Sequence, residues 1–144
     1  MIFYSIVEET DTAYLTLVED KVIVPAALMK PEQLKFIRNT FLDIIDEFNI
    51  NLACVRVTES SSQSANEFRI GVEAVIQELY ASSSIKKYYA GQISSISAKL
   101  GIKRDQFKPL VAGTETYNDY EGWGKMKPEA RESLLSAFSA LNLL

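Results

Sequence analysis

MIFYSIVEETDTAYLTLVEDKVIVPA (Met1–Ala26) contains three short apolar runs separated by brief polar breaks. The runs are Ile2–Val7, Ala13–Val18 and Lys21–Ala26, and they are rich in the β-branched and aromatic residues that strands favour. The breaks, one of which is Glu19-Asp20, are too short for a crossover to a parallel neighbour. This stretch therefore predicts an antiparallel meander of three strands.

Amphipathic segments and apolar runs alternate after the meander. Pro31 begins a segment whose apolar residues recur at helical spacing, and the strand-like run Leu52–Val57 follows it. A second helix is predicted with Ser64 as its N-cap and Glu67 three residues later. The remaining predicted elements are a strand over Ile85–Ile93, short helices over Ser95–Leu100 and Arg104–Val111, a loop over Ala112–Lys127, and a last helix that begins at Pro128.

The order of these elements is β-β-β-α-β-α-β-α. It predicts an α/β fold with a five-stranded mixed sheet that is flanked by helices. The length of 144 residues predicts one domain that spans positions 1–144.

The amino-acid composition excludes several classes of catalytic and metal site. The chain has no histidine, which excludes Ser-His and Cys-His nucleophile pairs, and its single cysteine, Cys54, excludes an intrachain disulfide and a cysteine-based zinc site. Carboxylates that bind magnesium or manganese remain the best fit for catalysis. The net charge of −4 argues against tight, non-specific DNA binding. Because no apolar run is long enough to span a bilayer and no basic leader precedes Glu8, we expect a cytoplasmic protein without a membrane partner.

QISSISAKLGIKRDQF (Gln92–Phe107) predicts the end of a strand, a short helix, a glycine turn and a basic second helix. In this pattern and in its element order, the chain resembles the RuvC-type Holliday-junction resolvase branch of the ribonuclease H-like superfamily. VEAVIQ (Val72–Gln77) is also similar to a small uncharacterised bacterial family that is thought to share this fold.

The resemblance implies a site in which four carboxylates hold two divalent metal ions. In the resolvases one carboxylate lies at the first strand, one at the end of the fourth strand, and two near the start of the last helix. The corresponding residues here are Glu8, Glu59, Glu129 and Glu132, which become the candidate catalytic residues and ligands for Mg²⁺ or Mn²⁺. Such a pair of ions activates water and stabilises the leaving oxygen of a phosphodiester.

The chain departs from the resolvase pattern at several of these positions. Glutamate replaces the usual aspartate at the first strand and in the helix pair, and Glu9 stands where the family has a glycine. The loop after Glu59 is shorter than in the resolvases, so Arg56 is an alternative occupant of the fourth-strand position.

Two functional classes therefore remain open. The first is a metal-dependent endonuclease that acts on structured nucleic acid, for which Lys99, Lys103 and Arg104 are the candidate phosphate contacts. The second is a catalytically degenerate domain that binds a protein partner or forms a homodimer. Tyr117, Tyr120 and Trp123 either anchor such a partner or fold back to cover the core.

Overall fold

The computed structural model describes residues 1–62 and 66–143, and it begins with an antiparallel hairpin. Strand β1 (Ile2–Glu9) pairs with β2 (Tyr14–Val22), with Ile2 opposite Val22 and Glu9 opposite Tyr14. A bulge between Ile6 and Val7 shifts the register of the pair.

The prediction of a third strand in the meander is wrong. Lys21 and Val22 complete β2, and residues 23–25 are not in a strand. Glu19 and Asp20 do not form the expected turn, because the ladder runs through them and pairs them with Ser5 and Tyr4. Both acidic side chains are exposed to solvent, so the strand continues without burying their charge.

A parallel unit forms the middle of the chain. Helix α1 (Lys30–Phe48) leads into β3 (Leu52–Arg56), and α2 (Glu67–Ser82) connects β3 to the parallel strand β4 (Lys87–Gly91). Asn66 is the N-cap of α2 and accepts a hydrogen bond from the backbone N–H of Arg69. The predicted N-cap, Ser64, lies outside the described residues.

The prediction of a five-stranded mixed sheet is also wrong. Within the described part of the chain, the strands form two sheets of two strands each, with the orders β1-β2 and β3-β4. β1 and β3 are not paired, and both strands line a cleft with a volume of about 970 Å³. The class is α/β as expected, but the sheet is divided at this point.

Five further helical segments follow β4. They are α3 (Ile93–Leu100), α4 (Arg104–Ala112), a 3₁₀ turn (Trp123–Lys125), α5 (Pro128–Ala140) and a second 3₁₀ turn (Leu141–Leu143). Gly91 lets α3 approach the end of β4, since a Cβ atom there would lie 2.7 Å from Cγ1 of Ile96 and 2.8 Å from Sγ of Cys54.

Two apolar cores lie on opposite faces of the strands. Consecutive strand residues point to opposite faces, and Ala53 packs in the core of α1 and α2 whereas Cys54 packs against that of α3, α4 and α5. Helix α5 contacts both β1 and β3 and so connects the two sheets. None of the helices in the described ranges is long and apolar enough to cross a bilayer.

Candidate active site

Arg56, the last residue of β3, lies at the centre of the candidate site. Its Nη1 donates a hydrogen bond to Oε2 of Glu59 at 2.9 Å, and its Nε lies 3.1 Å from Oε1 of Glu132. The second contact is an ion pair without hydrogen-bond geometry. The Arg56 side chain is only 16% exposed, and its guanidinium packs 5.8 Å from the centre of the Phe107 ring. One cation thus joins two of the four candidate metal ligands.

Glu59 connects the end of β3 to the following helices. Its Oε2 accepts a hydrogen bond of 3.2 Å from the backbone N–H of Ile93, the first residue of α3. Its Oε1 lies 3.9 Å from Nη2 of Arg104, which begins α4. The N–H groups at a helix N-terminus favour a negative charge. Glu59 is therefore held by two arginines and a helix end.

The other three candidate acids differ in their surroundings. Glu132 in α5 is 28% exposed and contacts Arg56. Glu129, one turn earlier, and Glu8 near the end of β1 are both exposed. Glu8, Glu129 and Glu132 line the same cleft between the sheets.

The described residues contain no group of three or more acidic, cysteine or histidine side chains placed to hold a metal ion. Glu59 and Glu132 come together around a guanidinium, and Glu8 and Glu129 do not join them. This arrangement does not fit a pair of divalent cations, since a cation already lies between the two converging carboxylates.

The three candidate phosphate contacts differ in exposure. Nζ of Lys99 lies 4.5 Å from the centre of the Tyr89 ring, and Lys99 is half-buried. Lys103 and Arg104 are exposed at the start of α4. Two of these three candidates are therefore exposed, and Nη2 of Arg104 lies 3.9 Å from Oε1 of Glu59.

The three candidate partner-binding aromatic residues belong to a core. Trp123 is 1% exposed, and its indole N–H donates a 2.9 Å hydrogen bond to the carbonyl of Leu110. Tyr117 and Tyr120 pack on Trp123 with ring centres 6.2 and 5.6 Å away, and both also pack on Phe138. This placement corresponds to the alternative in which the rings cover the core.

Two charged residues of the described chain are buried, and neither is one of the four candidate ligands. Glu73 is 7% exposed and accepts hydrogen bonds from both the backbone N–H and the hydroxyl of Thr58, which fixes the backbone between Arg56 and Glu59. Arg131 is 4% exposed, and it donates to the carbonyls of Val111 and Trp123 at 2.6 and 3.1 Å.

The spacing of residues in α5 is a signal in the sequence for the burial of Arg131. Arg131, Leu134, Leu135 and Phe138 recur at helical spacing, so the charge lies within the apolar stripe of α5. A cation at such a position is expected to be buried only with partners for its N–H groups. Here backbone carbonyls provide them.

Burial also changes the chemistry of the single cysteine. Burial raises the pKa of the Cys54 thiol above its ordinary value, although hydrogen bonds with Tyr89, Ser139 and Ser136 oppose the shift. A thiol in this environment stays protonated at neutral pH and is a poor nucleophile.

No protein-family model matches the chain, and neither does any curated protein. Among solved structures, the chain is similar to the structure of RuvC from Thermus thermophilus, with a TM-score of 0.66 and 12% sequence identity. The similarity covers 96% of this chain and 84% of the RuvC chain. At this level of identity it concerns the fold alone, because one fold can carry many activities. The chain therefore has a fold of the RuvC-like, ribonuclease H-like kind.

Proposed function

We propose that this chain is a non-catalytic domain of RuvC-like fold that acts by binding a protein partner. The observation that carries the proposal is the position of Arg56, whose guanidinium contacts both Glu59 and Glu132. These are two of the four candidate metal ligands, and they share one cation of the protein.

The charge of Arg56 opposes metal binding in two ways. A guanidinium stays protonated at every physiological pH, so its positive charge is permanent. It neutralises carboxylates that would otherwise attract a divalent cation, and it repels any cation that approaches. Two-metal hydrolysis needs two cations about 4 Å apart, held by several carboxylates. The guanidinium of Arg56 lies where such ions would bind, and it already neutralises the carboxylates of Glu59 and Glu132.

A metal-dependent nuclease that acts on structured nucleic acid is the second candidate. It is favoured by the RuvC-like fold and by the cleft, whose lining includes Glu129 and Glu132 beside Arg56. Glu8, Glu59, Glu129 and Glu132 would then hold Mg²⁺ or Mn²⁺. This function requires the Arg56 side chain to leave both of its carboxylate partners.

Calorimetric titration with MnCl₂ and with MgCl₂ separates the two candidates. We expect no saturable binding to the wild-type protein up to millimolar metal, and no cleavage of a four-way DNA junction under the same conditions. The matched variants are Glu59→Gln/Glu132→Gln at the site and Glu115→Gln/Glu121→Gln on exposed positions elsewhere. Saturable wild-type binding that is lost only in the first variant would overturn the proposal and support the nuclease.

A further inference from the structure

We draw no further inference here: the strongest candidate, the outer edge of β2 with the exposed side chains of Leu15 and Leu17, carries none, because nothing in residues 1–62 and 66–143 shows what covers it.

Discussion

Replacement of Arg56 by methionine removes the cation that Glu59 and Glu132 share. The side chains of Arg56, Glu59 and Glu132 are 16, 21 and 28% exposed. They lie between surface ion pairs, worth about 0–1 kcal/mol, and buried pairs, whose one-sided disruption costs about 3–5 kcal/mol. We therefore expect Arg56→Met to lower the free energy of unfolding by about 2–3 kcal/mol, which corresponds to a fall in Tm of roughly 4–12 °C for a chain of this size.

Urea unfolding followed by circular dichroism measures this change. The matched control is Arg38→Met, because Nε of Arg38 lies 2.8 Å from Oε1 of Glu78 but the two side chains are 34 and 57% exposed. Solvent screens this pair, so we expect a much smaller loss. The variant Arg56→Met/Glu59→Gln/Glu132→Gln should recover most of the stability, since neutral amides need no cation.

Equal losses in Arg56→Met and Arg38→Met would refute the central role assigned to the guanidinium. If the triple variant is no more stable than Arg56→Met, the loss of stability in Arg56→Met has a different cause. The loss would then come from packing of Arg56 over Phe107 rather than from unpaired carboxylates.

Three further outcomes can be measured. Arg131→Met should lower the free energy of unfolding by about 2–4 kcal/mol in urea titration, because it leaves the buried carbonyl of Trp123 and the part-buried carbonyl of Val111 without this donor. Glu73→Ala should cost about 2–3 kcal/mol in the same titration by removing the acceptor for Thr58, and Glu73→Gln, which keeps one acceptor oxygen, should cost less. Because the raised pKa of Cys54 disfavours the thiolate in the folded state, its reaction with a disulfide reagent should be slower than in the unfolded chain at pH 8. In the folded protein, the rate of this reaction should keep increasing when the pH exceeds 9.0, the ordinary pKa of a cysteine thiol. A rate that reaches a plateau below pH 9.0 would contradict the burial of the thiol.

Local chemistry predicted the helices and the parallel strand pair well. Prolines fix the first turn of a helix in advance, and α1 and α5 begin at Lys30 and Pro128 beside the prolines that predicted them. The pairing of β3 with β4 follows from the helix between them, because a strand, a helix and a strand imply a parallel neighbour.

The division of the sheet could not be read from the same patterns. Apolar alternation tells which face a strand residue occupies, but it does not tell which strand lies at its edge. Glu19-Asp20 resembles a turn by composition, yet exposed acids are compatible with a two-stranded ladder. The number of strands and the gap between β1 and β3 depend on packing over long sequence separations.

The pairing of charges in the candidate site could not be predicted from sequence spacing either. Sequence spacing places Glu129 and Glu132 on one face of α5, but only Glu132 reaches the guanidinium. The resemblance implies four carboxylates as metal ligands and leaves Arg56, three residues before Glu59, as an alternative occupant of the fourth-strand position, but the spacing does not tell that Arg56 pairs with two of the four acids. Arg56 supplies from the protein itself a positive charge that a metal centre takes from solution. The carboxylates of Glu59 and Glu132 are therefore paired with a cation of the protein without any metal. We expect Arg56→Gln to bind Mn²⁺ more tightly than the wild type, because this variant removes the cation that Glu59 and Glu132 share.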